Sequence, residues 1–224
     1  MVERQLRARG ISDASVLAAM AEIPREIFLA PELAHDAYAD SALPIQAGQT
    51  MSQPFMVAQM TELLAPHPGM RILEIGTGSG YQAAVLAAIG CSVLSLERHP
   101  ELAAAARTRL ASLGQLDPRL VDRVRVEVAD GSVGWRLGAP FEGILVTAAA
   151  PRVPDPLRRQ LANGGRLVIP LGPLSGQQLT QVIRRGDGFE ERAFGGCVFV
   201  PLIGAAGYKE EEVRRMHRWP GPFR

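Results

Sequence analysis

The stretch Glu74-Ile75-Gly76-Thr77-Gly78-Ser79-Gly80 is the part of this chain best suited to hold a ligand. Glycines let the backbone approach a bound molecule where side chains would keep it away. A Gly-x-Gly-x-x-Gly run cradles a dinucleotide pyrophosphate on a helix N-terminus, but here the third glycine arrives one residue early. A carboxylate at Glu74 also repels a dianionic group. S-adenosylmethionine carries a sulfonium and an ammonium and no phosphate, so an acidic glycine loop suits it. Glu97, 21 residues beyond Gly76, is spaced to accept hydrogen bonds from both hydroxyls of a ribose, a device that NAD would share. Asp130-Gly131 supplies a third acidic loop, suited to an adenine amino group. Taken singly, each feature also reads as a tight turn or a solvated carboxylate at a strand end. Together they favour S-adenosylmethionine over NAD.

Loops of this kind work at the C-terminal ends of parallel strands, near the point where the strand order reverses. From Arg71 the hydrophobic pattern alternates accordingly: strand 71–75, helix 80–89, strand 92–96, helix 100–113, strand 124–128, strand 142–147, helix 154–161 and strand 165–170. Two further strands, 178–184 and 196–202, flank a Gly186-Asp187-Gly188 turn and are expected to pair antiparallel at one edge, in an order the sequence leaves open. The expected fold class is therefore α/β, a doubly wound, mostly parallel seven-stranded sheet with an antiparallel edge. Residues 1–70 read as an N-terminal helical extension. Asp13 caps a helix to Ala21, Pro24 opens a short turn, and a helix starting at Pro54 presents the loop before it.

The chain of 224 residues, 47% hydrophobic and 21% charged, suits one domain with a sizeable core. Its 24 Lys+Arg and 23 Asp+Glu give a net charge of +1, which removes the usual electrostatic case for nucleic acid or an anionic membrane as partner. Every basic residue but Lys209 is arginine, a bias given no functional weight. Residues 75–96 lack any charge over about the length of a membrane span, but their glycines divide them into strand, loop, helix and strand. Residues 1–10 are polar, without a secretory signal, and Cys91 and Cys197 sit in apolar stretches as small hydrophobes. A reducing, cytoplasmic location is expected. His35, His67, His99 and His217 lie outside the ligand loops and lack metal-site spacing, so no metal is expected.

Beyond these local features, the chain resembles the protein-L-isoaspartate O-methyltransferases, within the Rossmann-like class I S-adenosylmethionine-dependent methyltransferases. The matching stretches are Arg9-Gly10-Ile11, Pro24-Arg25-Glu26, Tyr38-Ala39-Asp40 and Leu43-Pro44-Ile45, then Gly48-Gln49-Thr50-Met51-Ser52-Gln53-Pro54. The glycine loop with Tyr81-Gln82, Val146-Thr147-Ala148-Ala149, Gly164 to Pro170 and Phe199-Val200-Pro201-Leu202 complete it. The segment from Gln49 to Pro54 is the part particular to this family. The resemblance spans residues 2 to about 208, as one domain 1–208 made of a segment 1–70 and a core 71–208. The extension 209–224 reads as a charged short helix and a Pro/Gly tail, either solvated or docking through Trp219 and Phe223.

What the resemblance implies is methyl transfer from S-adenosylmethionine to the α-carboxylate of an L-isoaspartyl residue in a damaged protein or peptide, leaving S-adenosylhomocysteine. The ester then closes to a succinimide without the enzyme, and hydrolysis returns some normal aspartate. The resemblance makes Ser52 the active-site residue, with Thr50 and Met51 beside the cofactor; isoleucine is commoner at the position of Met51. Serine just before a helix also suits capping of the helix that begins at Pro54. The candidate cofactor-binding set is thus Thr50, Met51, Glu74, Gly76, Thr77, Gly78, Ser79, Glu97, Arg98, Asp130 and Gly131. An α-carboxylate ordinarily titrates near ~3.5 and is already ionised at neutral pH, so no general base is required. A monomer acting on isoaspartyl proteins is expected. Two other readings use the same residues: a carboxyl methyltransferase with a different acceptor, and a noncatalytic cofactor-binding module.

Overall fold

The computed structural model describes residues 1–115 and 117–217, with 215–217 described by backbone alone. Its centre is a sheet of β1 (Arg71–Ile75), β2 (Ser92–Glu97), β3 (Val124–Val128), β4 (Phe141–Val146), β5 (Leu161–Leu171), β6 (Gln177–Arg185) and β7 (Gly188–Cys197). Their spatial order is β3-β2-β1-β4-β5-β6-β7. The five strands from β3 to β5 run parallel, and β6 and β7 are antiparallel. The helices are α1 (Ala14–Glu22), α2 (Pro54–Leu64), α3 (Tyr81–Ile89), α4 (Pro100–Ser112), α5 (Pro118–Asp122), α6 (Asp155–Gln160) and α7 (Glu210–His217).

Local chemistry explains where these elements begin. The Asp13 carboxylate accepts from the N–H groups of Ser15 and Val16 at 2.9 and 3.0 Å, satisfying two orphan donors of α1. Proline opens α2, where a missing N–H costs nothing. Every residue of α3 but Ala88 is buried, which is why the 75–96 stretch needs no polar face. It packs on one side of the sheet with α1. The two faces feed separate apolar clusters: Ile72 joins Met20, Phe28 and Tyr81, whereas its neighbour Leu73 joins Phe141, Leu157 and Leu167. That alternation is the pleat of a strand covered on both sides.

One expected strand moves. The last strand occupies 188–197, directly after the turn, and forms the sheet's edge. Exposed on both faces, it shows no apolar alternation and instead sets Glu190 and Glu191 against Arg185 and Arg158. The apolar run 196–202 that resembled a strand leaves the sheet at Cys197. There the Phe199 N–H donates to Gln177 Oε1 at 2.8 Å, and the Val200 carbonyl accepts from Ala149 N at 2.8 Å. The short helix expected after Lys209 is α7; Trp219 and Phe223 lie outside the described residues. Among the described residues no helix is long and apolar enough to cross a membrane.

Candidate active site

β1 lies between β2, the next strand in sequence, and β4, so the chain leaves β1 in one direction and returns on its other side. That reversal opens a crevice beyond the strands' C-terminal ends. The glycine loop follows β1 there, and Thr147 follows β4. Thr147 Oγ1 donates within 3.0 Å of the Ile75 carbonyl and 2.7 Å of the Gly76 carbonyl, stitching the two strand ends together. A Cβ at Gly76 would lie far inside van der Waals contact with that same hydroxyl, and its φ of +94° is one that side chains avoid. Gly76 is therefore required by the neighbouring strand end itself.

The resulting cleft holds about 970 Å³ of atom-free space, open solvent at its mouth included. Of the residues singled out in the sequence, Thr50, Met51, Ser52, Gly76, Thr77, Gly78, Ser79, Glu97, Arg98 and Gly131 all line it. Glu97, ending β2, is 5% exposed; its Oε2 accepts from Gly78 N at 2.9 Å and its Oε1 from His99 N at 3.0 Å. Two backbone donors thus fix the carboxylate in the wall, and each oxygen retains a lone pair for a further donor.

Glu74 and Asp130 do not line the cleft. Glu74 is fully buried within β1, directly opposite Ser95 of β2, whose hydroxyl donates to Glu74 Oε2. Burial above all pushes its carboxyl up to about 8, against the Ser95 hydrogen bond and with a smaller push from Glu97. At pH 7 Glu74 is mainly uncharged, so the repulsion expected of it toward a pyrophosphate does not arise. Asp130 is a structural cap: Oδ1 accepts from Ser132 N at 2.9 Å and Oδ2 from Ala205 N at 2.8 Å. His99, expected away from the site, does line the cleft. Thr147, Gln82 and the segment 200–203 also line it and were not singled out for the site. Backbone bonds of Val200 and Leu202 to Ala149, distant in sequence, hold that segment at the cleft. Among the described residues no group of three or more His, Cys, Asp and Glu side chains is placed to hold a metal.

On the opposite wall, Met51 pairs with Leu43 and Thr50 with Pro44 in a short antiparallel ladder. Ser52 follows, two residues ahead of α2. The N-cap position falls on Gln53, which makes no side-chain cap, and the Ser52 hydroxyl has no partner among the described residues. Ser52 is therefore not the cap of α2; its carbonyl accepts from Nη2 of the buried Arg25 at 2.9 Å. Met51, Val57, Met60, Ile75, Leu96 and Leu202 give the cleft its apolar lining.

A family model described as protein-L-isoaspartate(D-aspartate) O-methyltransferase matches residues 1–207. The protein-L-isoaspartate O-methyltransferase of Methylorubrum populi is 55% identical over 211 residues, covering 92% of this chain and 96% of its own. That of Methanoregula boonei is 50% identical over 209 residues, covering 93% and 94%. Among solved structures, a protein-L-isoaspartate O-methyltransferase aligns over 96% of this chain and 70% of its own at 29% identity and a TM-score of 0.80. A Plasmodium falciparum protein crystallised in complex with S-adenosyl-L-homocysteine shares the fold, with a TM-score of 0.77 at 24% identity over 90% of this chain and 96% of its own.

Proposed function

The chain belongs to the protein-L-isoaspartate O-methyltransferase family, and from that premise we propose that methyl transfer takes place in the glycine-loop cleft, between Ser52 on the acceptor side and Glu97 on the donor side. The activity is S-adenosylmethionine-dependent methylation of isoaspartyl residues, the first step of their repair. The observation that carries the site assignment is that Ser52, its hydroxyl uncommitted, lines the same cleft as the glycine loop and the fixed carboxylate of Glu97.

The residues present fit the cofactor. Glu97 offers a buried anion with lone pairs left over, matched to a pair of vicinal hydroxyls, while Gly76 and Gly78 leave the backbone bare and Gly131, Leu96 and Leu202 supply apolar contact. When bound, S-adenosylmethionine supplies an electrophilic methyl group on a sulfonium. The acceptor carboxylate arrives ionised, so the protein holds and aims it and abstracts no proton. The Ser52 hydroxyl donates one hydrogen bond to a carboxylate oxygen and fixes its direction. Charge is lost as anion and cation react, so the apolar lining favours the reaction by excluding water. Alignment supplies the larger part, since effective molarities of well-oriented partners reach about 10⁵ M or more.

The enzyme acts on this reading as a cytoplasmic monomer. Its two cysteines, both free, suit a reducing compartment. The test is incubation with labelled cofactor and matched isoaspartyl and aspartyl peptides: base-labile label on the isoaspartyl member alone is the expected result. Equal labelling of both peptides, or none, would refute the assigned acceptor.

A further inference from the structure

The most unusual group near the site is a cation that never reaches the cleft. Arg25 has no exposed surface at all, yet among the described residues no carboxylate lies within ion-pair distance of it. A guanidinium stays protonated when buried, and an apolar side chain of similar size would fill the space without removing a charge from water. Packing therefore does not account for an arginine here, and what distinguishes it is a planar fork of directed donors. Nε donates to the Ala37 carbonyl at 2.7 Å and Nη2 to the Ser52 carbonyl at 2.9 Å.

The guanidinium face has a third contact. Its central carbon lies 4.5 Å from the centroid of the Tyr81 ring, and Tyr81 is the first residue of α3, immediately after the glycine loop. That ring is itself held edge-on by Phe28 at 5.5 Å and through its hydroxyl by Met20 Sδ at 3.5 Å. Arg25 is thus anchored on the helix that carries the donor-side loop and reaches the loop that carries Ser52. The α2 N-terminus offers no side-chain cap to hold that loop, so the Arg25 donor is its direct polar tether at Ser52.

We propose that Arg25 is a positioning residue for methyl transfer, one that sets the distance between the Ser52 loop and the glycine-loop helix by bridging the Ser52 carbonyl to the Tyr81 ring. The inference rests on the assignment of Ser52 to the acceptor side. Arg25 touches no substrate; it acts through Ser52, and the two should fail as a unit.

The test compares Arg25→Met, Arg25→Lys, Ser52→Ala and the Arg25→Met/Ser52→Ala double variant with the full-length parent. The readouts are thermal melting, S-adenosylhomocysteine affinity by calorimetry, and kcat and KM on an isoaspartyl peptide. Displacement of an aligned group by an ångström costs on the order of 10²-fold, so kcat of Arg25→Met is expected to fall about 10- to 100-fold. S-adenosylhomocysteine affinity is expected to stay within about 3-fold, and Arg25→Lys, with its charge but no fork, to recover little. The double variant is expected to turn over within about 3-fold of Ser52→Ala alone, because residues acting as a unit are not additive.

Four outcomes would overturn the inference. These are parental turnover in folded Arg25→Met, losses that multiply in the double variant, cofactor affinity falling in step with kcat, or failure of both Arg25 variants to fold, which would make the residue a determinant of the fold and not of the loop. Parental turnover in Ser52→Ala would instead remove the Ser52 assignment, and this inference with it.

Discussion

Glu97 performs two tasks with one carboxylate, and a single substitution separates them from the chemistry. Glutamine keeps its shape but offers one acceptor oxygen, so one of the N–H groups of Gly78 and His99 would then face an NH₂. Hydrogen bonds to charged groups contribute about 1.5–3 kcal/mol, so Glu97→Gln is expected to weaken S-adenosylhomocysteine binding about 10- to 100-fold by calorimetry. Turnover at saturating cofactor should change far less. Glu74 makes a prediction of opposite character. Its folded carboxyl holds a proton up to about 8 against 4.5 when unfolded, so between those values the native state binds more protons and stability falls as pH rises. The slope is at most about 1.4 kcal/mol per pH unit, and the loss is complete above the folded value. Glu74→Gln removes the titration, so its melting temperature should gain on the parent's steadily from pH 5 to pH 8; a constant difference would mean that Glu74 titrates normally. The glycines and Glu97 are legible in sequence as residues of one cleft because local spacing puts them at neighbouring strand ends. Glu74 was misread because its charge depends on Ser95 and burial in the neighbouring strand. The contacts of Arg25 lie 12 and 27 residues away, beyond any local pattern.

At the scale of elements, the inner parallel strands and their helices are legible because both faces of the sheet are covered there, so apolar stretches mark them. The edge strand was not, since β7 faces water on both sides and carries charges where alternation would be sought. The approach of β1 to β4 is likewise tertiary, and it can be measured. Gly76 has φ +94° and meets Thr147, whereas Gly164, on an exposed stretch of β5, has φ +79° and nothing within 4 Å of a Cβ. Alanine at Gly164 is expected to cost backbone strain alone, about 1–3 kcal/mol. Alanine at Gly76 adds overpacking of about 1–3 kcal/mol more. In a domain of this size each kcal/mol shifts Tm by about 2–4 °C, so Gly76→Ala should melt about 2–12 °C below Gly164→Ala. Equal melting points would show that the two strand ends part easily and that Thr147 is no constraint on the cleft.

For the whole molecule, the boundary between domain and extension can be argued from what the final residues hold. Residues 203–208 fold back beside the cleft: Tyr208 N–H donates to the Leu202 carbonyl at 2.8 Å and its hydroxyl to the Gly172 carbonyl. Asp130 and Ser132, just past β3, accept from Ala205 N at 2.8 Å and Ala206 N at 3.0 Å, joining this return to the far side of the cleft. Ile203 itself lines the cleft. Among the described residues beyond Tyr208 the ties to the domain are fewer: Lys209 Nζ donates back to the Ala205 carbonyl at 3.2 Å, and α7 buries Val213. We therefore propose Tyr208 as the end of the domain. Deleting 209–224 removes, among the described residues, one buried valine, roughly 1.5–3 kcal/mol, and is expected to lower Tm by about 3–12 °C while kcat and S-adenosylhomocysteine affinity hold. Deleting 203–224 removes Ile203 from the cleft lining and leaves Asp130 Oδ2 without its donor, so cofactor affinity should fall along with stability. Calorimetry on the two truncations decides it: loss of affinity already in the shorter deletion would make α7 part of the catalytic domain, and full affinity in the longer one would free the cleft from the 203–208 return.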